Sequence, residues 1–125
     1  MTHANPLFTG GINIAIKIPP HQFEAAVAFY RDTLGLRVLH ASSESVCVEH
    51  GPNRLHLDRV PHVSHAEVWL EVVTPNVDAA APYLAGRGVT RCDAIEALPA
   101  GFRGFWIAGP AGIVTLVSEP GAGGA

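Results

Sequence analysis

Hydrophobic residues alternate strictly with other residues near the start of the chain. From Ile12 to Ile18 every second residue is isoleucine, and the residues between are Asn13, Ala15 and Lys17. Successive side chains of a β-strand point to opposite faces of its sheet, so this alternation predicts a half-buried strand. The two prolines that follow are expected to end it, because proline lacks the N–H that a sheet requires.

A helical spacing comes next. Phe23, Ala26, Val27 and Tyr30 recur at positions i, i+3, i+4 and i+7, which predicts an amphipathic helix. Gly35 then stands where a helix commonly ends on a glycine.

The same two elements occur a second time. The stretch from Ile12 to Tyr30 aligns without a gap with the stretch from Ala66 to Leu84. In the second copy an alternating strand precedes Asn76, which is a plausible N-cap, and Gly88 is expected to stop the helix. The residues that repeat the apolar pattern are Val68, Leu70 and Val72 in the strand, and Val77, Ala80, Ala81 and Leu84 in the helix.

Three shorter β candidates follow each helix, so each half is β-α-β-β-β. They are Arg37–Ala41, Ser45–Glu49 and Arg54–Arg59 in the first half, and Thr90–Ala97, Arg103–Ala108 and Ile113–Ser118 in the second. The pattern predicts an α+β fold made of two tandem modules, module one at about 11–60 and module two at about 66–119. Their sheets are expected to form an eight-stranded, half-open cup with the helices outside.

Composition narrows the class of protein. A chain of 125 residues with 48% hydrophobic residues fits one packed domain, and its charge of −3 argues against a nucleic-acid or acidic-membrane partner. No apolar run is long enough to span a bilayer, and the first residues do not resemble a signal peptide. Cys47 and Cys92 form no CxxC pattern, which favours a reducing, cytoplasmic setting. The tail at 120–125 is expected to be disordered.

Several segments resemble the vicinal oxygen chelate superfamily, which contains glyoxalases, bleomycin resistance proteins and dioxygenases. The helix end from Phe29 to Leu36 is similar to the family's "FY…LGL" segment, and Val77–Leu84 resembles its second-module helix. Gly104–Ile107 leading to Gly109–Gly112 resembles the turn before its last strand. The resemblance covers nearly the whole chain.

The resemblance implies four positions for metal ligands. In the superfamily a divalent metal usually binds in the cup to one residue from the first strand and one from the last strand of each module. Carried over to this chain, these positions are Asn13, His56, Glu67 and Leu116. His56 and Glu67 can bind a metal, Asn13 is a weak ligand and Leu116 cannot bind one. The expectation is therefore no metal, or one weakly held divalent ion.

Other residues are candidates for lining the cup. The candidate ligand-binding residues are Asn13, Trp69, Trp106, Leu116, Lys17 and Glu71, although both tryptophans could equally belong to the core. Among the cations that could contact an anion are Lys17, Arg37, Arg54 and Arg103, yet scattered cations usually lie on the surface.

Three functions remain open. The first is metal-free binding of a small hydrophobic or aromatic molecule, as in the bleomycin-resistance branch. The second is a metal-dependent lyase, isomerase or dioxygenase that uses His56 and Glu67. The third is a metal-free lyase or isomerase with Glu67 as the catalytic base and His56 as its partner. The resemblance also implies a homodimer.

Overall fold

The strand predicted from the isoleucine alternation is present, and the sheet grows around it. The computed structural model describes residues 5–121, and the end of the predicted tail, 122–125, lies outside them. Within these residues there are nine strands and two α-helices. They are β1 (Thr9–Gly10), β2 (Asn13–Ile18), α1 (Pro20–Ala28), β3 (Val38–Ala41), β4 (Ser45–His50), β5 (Asn53–Arg59), β6 (Glu67–Val73), α2 (Val77–Gly86), β7 (Thr90–Arg91), β8 (Gly104–Ala108) and β9 (Val114–Ser118).

The chain divides into two compact units that share β6. One unit is Ile12–Trp69, and the other contains Leu70 onward together with the residues up to Gly11. In the first unit the strand order is β3-β4-β5-β2, followed by the start of β6. Strand β2 is parallel to β5 and antiparallel to β6, and the remaining pairs are antiparallel.

The second unit repeats this topology. Its order is β7-β8-β9 followed by the end of β6, with β9 parallel to β6 and antiparallel to β8. The short strand β1, which the sequence pattern does not reveal, adds to β6 in antiparallel fashion. Both modules are therefore β-α-β-β-β with the same strand order, which confirms the α+β repeat.

One face of each sheet packs under a helix. In the first unit the core joins Ile18 of β2 with Phe23 and Val27 of α1, and with Leu57 of β5. In the second unit Val77 and Ala80 of α2 pack on Phe105 and Val117. Ile14, Ile16 and Ile18 of the first alternating strand and Val72 of the second thus meet the helical residues in the cores, as predicted.

The first helix ends through a wider turn and a glycine. Phe29–Thr33 form one π-helical turn after α1, and Gly35 has φ of +69°. The N–H of Leu36 donates to the carbonyl of Tyr30 over 3.0 Å, which satisfies a terminal carbonyl. The predicted glycine stop is confirmed, because a left-handed conformation at this position favours a residue without Cβ.

The predicted strand Thr90–Ala97 is wrong in length. Only Thr90–Arg91 pair with β8, and Asp93–Ile95 form a 3-10 turn. The carboxylate of Asp93 accepts the backbone N–H of Trp106 over 3.1 Å. A side chain thus takes the place of the backbone acceptor that a longer strand would supply, and the ladder ends there.

The second alternating strand is less covered than the pattern predicts. Val72 packs under α2, whereas Val68 and Leu70 are 48% and 43% exposed. Alternation assigns residues to a face of a strand, but it does not determine how far along that face the helix extends.

The predicted N-cap of α2 is confirmed, and its contribution to the free energy of unfolding can be measured. The Asn76 side-chain oxygen accepts hydrogen bonds from the N–H groups of Asp78 and Ala79. Asn76→Ala is expected to lower the free energy of unfolding by about 1 kcal/mol, because these N–H groups lose their acceptor. Urea denaturation measures this loss. Asn76→Asp is the control that retains the acceptor, and an equal loss in both variants would contradict a capping role.

No helix among residues 5–121 has the length and apolar character needed to cross a membrane.

Candidate functional site

Two of the predicted site residues are in direct contact on module one. Nε2 of His56 on β5 lies 2.8 Å from Oδ1 of Asn13 on β2. An amide oxygen can only accept a hydrogen bond, so Nε2 is the protonated nitrogen of the imidazole. In this tautomer a metal could bind Nε2 only in place of the Asn13 contact.

His56 also lines a pocket. The pocket has a volume of about 460 Å³ and belongs wholly to the unit Ile12–Trp69. Its lining residues come from β3, β4 and β5, on the face opposite α1, and they are Leu39, His40, Cys47, Arg54 and His56. We call this the module-one pocket.

A β-bulge lies in the strand that contributes two lining residues to the module-one pocket. Val38 pairs with Val48, and His40 pairs with Cys47, so two steps along β3 match one step along β4. Leu39 is the extra residue, and both Leu39 and His40 line the pocket. Bulges redirect side chains in this way, and they are frequent beside functional sites.

His40, Cys47 and His56 lie in one row across three neighbouring strands. Burial raises the pKa of the Cys47 thiol, Arg54 opposes this increase and Asp58 adds to it. The thiol is therefore protonated near neutral pH and acts as a small apolar side chain rather than as a thiolate ligand. Cys47 and Cys92 are both free cysteines.

The predicted ligand-binding residue Lys17 is part of a buried cluster. It is 3% exposed, and Nζ lies 2.7 Å from Oδ2 of Asp58. The other carboxylate oxygen of Asp58 accepts the hydroxyl of Ser45 over 2.6 Å. The ammonium group also lies 4.4 Å from the ring centre of Trp69, a cation–π distance.

Glu67 lies on the same strand pairing but not beside His56. It is opposite Lys17, whereas His56 is opposite Ala15, which in turn is opposite Trp69. Strand β2 therefore lies between the strands of the two predicted metal ligands. Their partners on β2, Ala15 and Lys17, are two residues apart.

The remaining predicted residues belong to the second unit. Glu71, Leu116 and Trp106 form one row across β6, β9 and β8. Nε1 of Trp106 donates to the carbonyl of Glu96 over 3.0 Å, and the Ser118 hydroxyl donates to Glu71 over 3.3 Å. Trp69 and Trp106 are only 3% and 6% exposed, respectively.

Strand register changes the repeat equivalence of Leu116. Lys17 pairs with Asp58 in module one, and its counterpart Glu71 pairs with Leu116 in module two. Leu116 is thus equivalent to Asp58, and the equivalent of His56 is Val114, two residues earlier. Both Val114 and Leu116 are apolar, so this position offers no metal ligand in either alignment.

The residues present do not fit the metal that the fold family implies. Within residues 5–121, no three side chains of the types His, Cys, Asp and Glu are grouped so as to hold an ion. The Asn13 contact of His56 and the protonated Cys47 each oppose such a site. No chemical step is therefore assigned to a metal.

Of the residues that line the module-one pocket, the sequence pattern predicted only His56 as a site residue and Arg54 as a possible anion contact. Leu39 and His40 depend on the bulge, which leaves no clear signal in the alternation of this short strand. Cys47 follows from alternation with Val46 and Val48, both buried on the helix side, and that signal was available in the sequence.

No protein-family model matches the sequence, and no curated protein sequence is significantly similar to it. Solved structures do match. The Mn(II)-bound glyoxalase from Novosphingobium aromaticivorans is 21% identical with a TM-score of 0.67, over 91% of this chain and 40% of that chain. Methylmalonyl-CoA epimerase from Mycobacterium tuberculosis is 16% identical with a TM-score of 0.64, over 94% and 92%. Homoprotocatechuate 2,3-dioxygenase from Arthrobacter globiformis is 20% identical with a TM-score of 0.64, over 92% and 37%.

These neighbours confirm the fold that the resemblance implies. The chain has the same fold as these glyoxalase, methylmalonyl-CoA epimerase and dioxygenase structures. It spans less than half the length of the glyoxalase and dioxygenase chains. At these identities the likeness establishes the fold, and the activities are those of the other proteins.

Proposed function

We propose that the protein binds a small hydrophobic or aromatic molecule in the module-one pocket and that this binding requires no metal. The observation that supports the proposal is a pocket of about 460 Å³ lined by Leu39, Cys47 and three polar side chains. Small-molecule sites commonly combine an apolar lining with a few polar groups in a volume of this order.

The metal-dependent alternative has less support. It requires His56 and Glu67 to share one ion, whereas Nε2 of His56 donates to Asn13. The metal-free enzyme that uses Glu67 as a base with His56 as its partner requires the two side chains to meet, although β2 lies between their strands.

The homodimer and the cytoplasmic setting stay proposals as well. The exposed residues of β3, at the end of the strand order in its unit, support association, because an unpaired strand edge can bind another chain. The free thiols of Cys47 and Cys92 agree with a reducing compartment.

The binding proposal is tested with 2-naphthamide, a neutral aromatic probe. We expect saturable shifts of backbone amide signals of the module-one pocket in 15N NMR spectra. Leu39→Glu is expected to weaken the binding at least about tenfold, because it places a charge against an apolar ring. Leu70→Glu is the matched control, since Leu70 is equally exposed in a strand but does not line the pocket.

Two results would overturn the proposal. One is equal binding by both variants, and the other is a set of shifted signals outside the module-one pocket. The metal question is tested separately by counting metal per chain after purification without chelator, and by melting with Zn²⁺, Ni²⁺, Mn²⁺ or Fe²⁺ added. A tight one-to-one metal that is lost in both His56→Ala and Glu67→Ala would refute metal-free binding, because a bound ion stabilises the fold that binds it.

A further inference from the structure

We infer that the ligand of the module-one pocket is a carboxylate, and that Arg54 binds its anionic group while the apolar body packs against Leu39 and Cys47. This inference rests on the proposed function and names the chemical class of the ligand.

The charge of the pocket lining carries the first step. Of the five lining residues, Arg54 is the one with a permanent charge, and no carboxylate is among them. His40 and His56 add two imidazoles, which can donate hydrogen bonds to an anion. The protein as a whole has a charge of −3, so this lining differs in sign from the average of the chain.

The nearest carboxylates on the neighbouring strands are engaged by other cations. Glu49 is the cross-strand neighbour of Arg54, and its Oε2 lies 3.0 Å from the guanidinium of Arg37. Asp58, on β5 itself and four residues from Arg54, binds Lys17 and Ser45. Neither carboxylate lines the module-one pocket, so a ligand anion can meet Arg54 without displacing a lining acid.

Comparison with the other candidate cations singles out Arg54. Lys17 is buried against Asp58, and Arg37 is an exposed partner of Glu49. Arg103 binds Asp78 and Glu119 over 2.8 and 3.0 Å. Each of these three has a carboxylate partner in the protein, whereas the guanidinium of Arg54 belongs to a pocket wall.

The backbone holds Arg54 in a defined place. It lies on β5 between β4 and β2, opposite Glu49 on one side and Asn13 on the other. Its N–H donates to the carbonyl of Ile12 over 2.7 Å. A guanidinium presented from a paired central strand is preorganised for the two parallel hydrogen bonds that a carboxylate accepts.

The apolar residues of the lining complete the match. Leu39 reaches the pocket through the bulge, and the protonated thiol of Cys47 offers no charge to repel an anion. A ligand with a flat apolar body and one carboxylate therefore matches both the apolar and the cationic residues of the lining.

The test compares 2-naphthoate with 2-naphthamide, which have nearly the same shape and differ in charge. Isothermal titration calorimetry at pH 7 should give at least about tenfold tighter binding of the carboxylate, which is the size expected for a hydrogen bond to a charged group. In Arg54→Gln the ratio of the two affinities should fall to about one, and Arg54→Lys should keep part of it. Arg103→Gln is the matched control and should leave the ratio unchanged.

The experiment distinguishes a failure of the carboxylate inference from a failure of the binding proposal. If both probes bind the module-one pocket equally well, or if Arg54→Gln keeps the preference for 2-naphthoate, the carboxylate inference is refuted and the binding proposal stands. If neither probe binds the pocket, the binding proposal itself is refuted. Thermal melting of each variant verifies folding, and Arg54→Lys, which retains charge and stem, keeps the test decisive if Arg54→Gln is unstable.

Discussion

Asp58→Ala is expected to lower the free energy of unfolding by about 3–5 kcal/mol, because the buried ammonium group of Lys17 loses the carboxylate bonded to it. Lys17 is 3% exposed, and the Lys17 Nζ–Asp58 Oδ2 distance is 2.7 Å. The Trp69 ring at 4.4 Å remains, but a cation–π contact contributes only about 0.5–2 kcal/mol. The cation–π contact should therefore replace only a small part of the stabilisation that Asp58 gives to the Lys17 ammonium group.

Urea denaturation followed by circular dichroism measures this loss. Ser45→Ala is the matched control, since it removes the hydroxyl bonded to Asp58 at 2.6 Å but leaves the ion pair. Its expected loss is smaller, about 1.5–3 kcal/mol for a hydrogen bond to a charged group. The double variant Lys17→Met/Asp58→Leu should recover much of the stability, because no buried charge is left. A loss below about 1 kcal/mol in Asp58→Ala would show that the pair contributes little.

Leu57→Ala is expected to lower the free energy of unfolding by about 2–5 kcal/mol, because it leaves a cavity in the first core. Leu57 is 0% exposed and packs with Ile18, Phe23 and Val27 under α1. The surrounding strands β2 and β4 are paired with β5 on both sides, which limits how far the core can collapse around the cavity.

Leu70→Ala provides the comparison for Leu57→Ala. Both residues are leucines in strands, but Leu70 is 43% exposed, so its loss should stay near or below about 1 kcal/mol. The same denaturation measurement compares the two. Equal losses would mean that Leu70 is covered in solution, as by association with a second copy of the chain, and a dependence of the Leu70→Ala effect on protein concentration would then identify that association.

If the carboxylate inference holds, the protein recognises its ligand through module one of this fold. Asn13 and His56 stand at two positions that the resemblance assigns to metal ligands, yet they bind each other. The pocket beside them instead offers a guanidinium and an apolar surface. Recognition would then rest on charge pairing and on burial of apolar surface. Variants of Arg54 test the first contribution, and variants of Leu39 test the second.

Local sequence patterns were sufficient to predict the main helices and strands and the repeat of the module. The alternation from Ile12 to Ile18, the helical spacing that follows it, the Asn76 cap and the Gly35 stop are all confirmed. Each depends on residues within a few positions of one another, where strand and helix periodicities act directly on side-chain direction. The gap-free second copy then implied the same module twice, and the strand pairing agrees.

The site depended on contacts that no local pattern encodes. Lys17 and Asp58 are far apart in the chain, as are Asn13 and His56, and they meet only because β2 and β5 pair in one particular register. The bulge at Leu39 and the truncated β7 likewise arise from pairing between strands. By itself, the sequence determined the two modules and their apolar faces. The tertiary structure decided which polar side chains are buried together and which line a pocket, because a shift of one residue in register moves every side chain to the other face.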